Sequence, residues 1–110
     1  MERSTLTFAI AGALLAALGQ VSFKWGATDR TALVEFVNPW ILGGLLLYLG
    51  GTVAWILALS KTPLTVLYPF TALTYVLVYL LAVTLLGEGL SVRGLGGTVL
   101  VLMGLFLVAT

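Results

Sequence analysis

The 110-residue chain contains no cysteine and no histidine. Without cysteine there are no disulfides and no thiolate metal sites. Without histidine the commonest metal ligand is missing, along with the one side chain that titrates near neutral pH unaided. Charge is scarce too: five basic and four acidic residues make up 8% of the chain, against roughly 25% in soluble proteins. The formal net charge is +1, so no polybasic patch points to nucleic acid or to attachment at a lipid surface. No aspartate or glutamate falls inside the long apolar runs. A membrane-buried carboxylate that could exchange a proton for a lipophilic cation is therefore missing. These absences argue against metal-dependent, redox and most hydrolytic enzymes, and no catalytic residue, metal or cofactor is expected.

The chain is rich in apolar residues. They make up 61% of it, with a mean hydropathy of +1.18, which marks an integral membrane protein. Crossing about 30 Å of hydrocarbon takes roughly 20 apolar residues in a helix, and four windows qualify, at about 6–24, 39–60, 63–86 and 92–109. The expected fold is a single all-α, four-transmembrane-helix domain over 1–110, with both termini on one side. Asn38 with Pro39, and Thr62 with Pro63, read as helix starts, because proline needs no hydrogen bond at the first position and the preceding side chain can cap. Ser91 is a third cap, after the turn "GEG" at 87–89. Trp25 and Trp40 sit where interfacial aromatics belong. The connection "GATDRTALVEFVN" reads as solvated or as a short surface helix. Arg3 and Lys61 lie on one side against Lys24, Arg30 and Arg93 on the other. So small a bias hardly dictates orientation, leaving open dual insertion or dependence on a partner.

Helices in lipid associate by close packing and hydrogen bonds, and small residues permit the approach. Gly12, Ala16 and Gly19 form one such strip, and Gly50, Ala54 and Ala58 a second. Gly97 and Gly104 lie seven apart on the last helix, the best candidate for a dimer interface, since after Arg93 that helix has only threonine as a polar side chain. Four short helices enclose little space, whereas two copies can enclose a cavity.

Polar side chains within hydrocarbon are functional candidates. Ala16, Gln20 and Lys24 share a face at four-residue spacing, running from a small residue to an amide and then to a cation near the interface. That order suits an anionic group entering from the membrane edge. The structural alternatives are a lysine that snorkels to water and an amide that hydrogen-bonds a neighbouring helix. Tyr68, Tyr75 and Tyr79 fall on one side of the third helix by the 3.6-residue period, and Pro69 removes a backbone hydrogen bond there. Such a face binds a sugar or headgroup, or is simply a kinked helix with interfacial tyrosines. Glu88 and Arg93 flank the last turn, either solvated, paired with one another or part of a site.

Three stretches carry a resemblance that spans nearly the whole chain: "ALGQVSFKW", "TPLTVLYPFTALTYV" and "GEGLSVRGLGGTVLVLMGLFLV". They are similar to the small multidrug resistance branch of the drug/metabolite transporter superfamily. Drug exporters of that branch carry an essential glutamate three residues before the glycine matched by Gly19, where this chain has Ala16. Gly19, Gln20 and Lys24, "YP" at Tyr68 and Pro69, and Glu88 with Ser91 resemble instead the subunits that flip aminoarabinose linked to undecaprenyl phosphate. The resemblance implies an antiparallel homodimer or a heterodimer with a paralogous subunit in the bacterial inner membrane. Its substrate would be a polyprenyl-monophosphate glycolipid, moved by alternating access. The implied substrate-binding residues are Gln20, Lys24, Tyr68, Tyr75, Glu88 and Arg93. Two rivals remain: an efflux transporter lacking the first-helix acid, and a non-transporting partner subunit.

Overall fold

The structure, a computed structural model, describes residues 3–109 and is all-α. Four helices run antiparallel in sequence order: α1 Arg3–Ala27, α2 Pro39–Leu59, α3 Leu64–Leu85 and α4 Val92–Ala109. The first three are long and apolar enough to span a membrane, and the fourth is a shorter apolar helix of about 27 Å at 1.5 Å per residue. The chain is a four-helix, multi-pass membrane bundle.

Helices α1 and α2 form its tightest contact. Thr5, Gly12, Gly19 and Gly26 recur every seventh residue on α1, and Gly44, Gly51 and Ala58 do so on α2; all are buried. A strict seven-residue repeat keeps two helices in register along their length. The backbones nearly touch as a result. A methyl group at Gly19 would stand 3.0 Å from the carbonyl oxygen of Gly44, and one at Gly51 the same distance from that of Gly12. At this separation no side chain fits between the two backbones. The strip expected on α2 is thereby corrected: Ala54 and Ala58 are in it, but Gly50 is exposed and Gly51 takes its place. The seven-residue step back from Ala58 falls on 51.

The α1–α2 connection is fastened by side chains. Asn38 Oδ1 accepts hydrogen bonds from the amides of Trp40 and Ile41 at 3.0 and 3.1 Å, while its Nδ2 donates to the Gly26 carbonyl at 3.0 Å. One residue thus caps α2 and satisfies the open end of α1. Buried Ser22 donates to the Trp40 carbonyl, and the Trp25 and Trp40 rings lie 5.0 Å apart. Asp29 closes α1 with a left-handed φ of 60°. The following segment makes one exposed 3₁₀ turn, Leu33–Phe36.

Thr62 and Pro63 behave differently from the expectation. Helix α3 starts at Leu64, Pro63 occupies the cap position, and no side chain caps it. Four residues later the helix tightens into a 3₁₀ turn at Tyr68–Phe70, around Pro69. Gly87, at φ 69°, ends α3, and the Glu88 amide folds back to the Ala82 carbonyl. Ser91 caps α4 by accepting from the Gly94 amide at 2.9 Å.

Helix α4 is held by one narrow stripe. Thr98 is buried and Gly94, Val101 and Leu105 half-buried, whereas nothing lies within 4 Å of where a Cβ would stand on Gly96, Gly97 or Gly104. At Gly94 the Tyr79 hydroxyl comes so close that a methyl would stand 2.6 Å from it.

Candidate functional site

A cleft of about 350 Å³ opens between α1, α2 and α3. Its floor is the glycine contact itself: Gly12 and Gly51 leave backbone bare there, with Ala13 and Ala16 beside them. Larger polar and aromatic side chains stand around that floor. Gln20 comes from α1, Tyr48, Thr52 and Trp55 from α2, and Tyr68, Thr71 and Thr74 from α3.

The 3₁₀ turn brings Tyr68 and Thr71 onto one face of α3, because residues three apart eclipse in such a turn. Thr74, three residues further along α3, also lines the cleft. Tyr75 does not. It remains exposed and stacks obliquely on Tyr79, centroids 6.4 Å apart. Tyr79 turns its hydroxyl into the contact with α4, where that oxygen is buried without a hydrogen-bond partner.

The cleft bears no charge. Its lining is amide, phenol, hydroxyl, indole and small aliphatic groups, and the acidic residues Asp29, Glu35 and Glu88 are exposed in the connections. Ala16, where resemblance to drug exporters would place a glutamate, lines its middle. Two of the hydroxyls are already engaged with their own helix: Thr52 donates to the Tyr48 carbonyl at 2.9 Å and Thr71 to that of Tyr68 at 2.8 Å. The side chains of Gln20, Tyr48, Trp55, Tyr68 and Thr74 make no hydrogen bond among the described residues. All five stand at least partly exposed on the cleft surface, open to a polar ligand.

Of the residues singled out from sequence, the structure brings Gln20 and Tyr68 together in the cleft. Lys24 lies one turn beyond Gln20, exposed, at the end of the bundle that also carries Glu88 and Arg93. Tyr75, Glu88 and Arg93 are not part of the cleft wall. Gly97 and Gly104 lie on the exposed side of α4. Sequence reasoning missed the whole α2 wall. Tyr48, Thr52 and Trp55 sit at i, i+4 and i+7, a polar and aromatic stripe on an otherwise aliphatic helix, and that spacing was the available signal.

No family model and no solved structure matches the chain. Curated relatives do. The chain is 35% identical to the probable 4-amino-4-deoxy-L-arabinose-phosphoundecaprenol flippase subunit ArnF of Shewanella sediminis, over 94% of its own length and 86% of the relative's. It is 31% identical to the corresponding subunit ArnE of Pseudomonas fluorescens, over 86% and 87%, and 31% identical to ArnF of Proteus mirabilis, over 93% and 89%. The chain belongs to the ArnE/ArnF family of flippase subunits. Members of this family are named as flippase subunits, transporters and not enzymes.

Proposed function

We propose that the chain is one subunit of a bacterial inner-membrane flippase for a polyprenyl-monophosphate-linked sugar. The observation that carries the reading is the set of five unpartnered neutral side chains around the cleft. A sugar is a neutral ring of hydroxyls, able to give each of them a hydrogen bond, and the Trp55 indole and Tyr48 phenol offer flat apolar faces for its C–H side. Lys24 and Arg93, exposed at one end, attract the phosphate of a lipid approaching the mouth. Glu88 at the same end moderates that field, and Tyr75 and Tyr79 border the route. Only the headgroup needs shelter, while the tail stays in the bilayer.

One chain walls the cleft with three helices, and a second subunit closes it. Resemblance to both ArnE and ArnF supports pairing with a related chain. Exchange between inward- and outward-facing arrangements of the pair gives alternating access without a cofactor.

The test is headgroup translocation of a fluorescent polyprenyl-phosphate sugar in vesicles holding the chain with and without its paralogous partner. Gln20→Ala and Tyr68→Phe are each expected to slow flipping about tenfold, the scale of one lost hydrogen bond, with helicity unchanged. Lys24→Ala is expected to abolish flipping at physiological salt and to leave the fold intact. Unaltered flipping in all three variants would falsify the assignment. Protection of cells against toxic cations that depends on a proton gradient would favour efflux instead.

A further inference from the structure

A second hollow, of about 510 Å³, lies on the other side of the 3₁₀ turn, between α3 and the distal half of α4. Thr65, Pro69 and Ala72 form one wall and Gly104, Leu105 and Val108 the other, while Tyr68 and Thr71 line both this hollow and the central cleft. The 3₁₀ turn is thus a partition with a polar chamber on one side and a largely apolar trough on the other. The trough exists because Ala72 and Gly104 are small where longer side chains would fill it. A Cβ on Gly104 would meet nothing within 4 Å.

We infer that this trough is the tail subsite: it holds the first isoprenoid units of the lipid whose headgroup occupies the cleft, with the chain passing Tyr68 between the two. The inference rests on the headgroup reading above. Adjacency of the two hollows across Tyr68 and Thr71, which line both, is what selects the occupant. An amphiphile has a polar and an apolar portion joined at one point, and the two hollows match those portions in the same order. Tyr68 then marks the junction between head and tail. Lys24, at the opposite end of the bundle from the α3 start, meets the phosphate only on entry.

The measurement is binding of isopentenyl phosphate, with one isoprene unit, and geranylgeranyl phosphate, with four, to the purified full chain by native mass spectrometry and Trp fluorescence. The unaltered chain is expected to prefer the four-unit ligand. Gly104→Leu and, separately, Ala72→Leu should each cut that preference about tenfold by filling the trough, with isopentenyl phosphate affinity within twofold of the unaltered chain. Two variants on opposite walls guard against a folding defect in one, and circular dichroism reports on each. Retention of the chain-length preference in both variants overturns the proposal. So does a change of oligomeric state in step with its loss, since the trough would then be a contact between copies. The headgroup reading fails separately, through unaltered flipping of the polyprenyl-phosphate sugar in Gln20→Ala and Tyr68→Phe.

Discussion

Helices α1 and α4 are both apolar and both rich in small residues, but they use them in opposite ways. On α1 every seventh position is small, and Gly12 and Gly19 face Gly51 and Gly44 of α2 at backbone contact, while Gly26 makes room for the Ile41 side chain. On α4 three of the four glycines face nothing, and only the stripe from Gly94 to Leu105 touches α3. A glycine therefore has no single meaning in a membrane helix. Where its counterpart is also small and in register, it brings two backbones together. Where it stands opposite no side chain, it leaves a hollow for something the chain itself does not supply. The α1–α2 pair is a closely packed plate carrying Ala16, Gln20, Tyr48 and Trp55, and α4 is a loosely packed wall with most of its surface exposed.

The comparison breaks most visibly where the plate is tightest. Gly44→Ile puts a branched side chain where even a methyl would stand 3.0 Å from the Gly19 carbonyl and 2.7 Å from the Phe23 ring. Backbone cannot yield as a flexible side chain would, so the expected loss is about 3 kcal/mol or more, measured by reversible unfolding in mixed micelles. A loss below about 1 kcal/mol would mean that the plate is not the scaffold of the bundle. Asn38→Ala comes next. It removes the cap of α2 and the bond to the Gly26 carbonyl together, with an expected cost of about 1–2 kcal/mol in the same assay. Asn38→Asp keeps the acceptor and loses the donor, so it should recover about half of that.

The division between plate and wall also marks what the sequence reveals. The four helices, the Asn38 and Ser91 caps and the turn at Gly87 are local signals, each written in residues next to one another, and they are legible from pattern alone. Gln20 is legible because an amide in an apolar run has few innocent explanations. The other side of the cleft is not, for a geometric reason. A 3.6-residue period carried through Pro69 puts Tyr68 and Tyr75 on one face, but the packing of α3 against α1 and α2 sets Thr71 and Thr74, not Tyr75, beside Tyr68 in the cleft. Likewise Gly50 and Gly51 are indistinguishable until α1 fixes the register. Contacts between helices decide both cases, and no window of one helix contains them.

The smallest expected effect sharpens the contrast most. Gly97→Leu adds a large side chain to α4 at a position with open space around it, so folding of the single chain should change by less than about 0.5 kcal/mol. If α4 is a loosely packed wall, the same substitution acts on whatever lies against it. Association with the paralogous subunit, or with a second copy, should weaken at unchanged unfolding free energy, as read by energy transfer between labelled chains in vesicles. Separation of the two readouts is what matters, because a residue of the plate must move them together. Unchanged association would place the partner on another face, and the groove of Val99, Leu102, Met103 and Phe106 on the same helix would be the next surface to substitute.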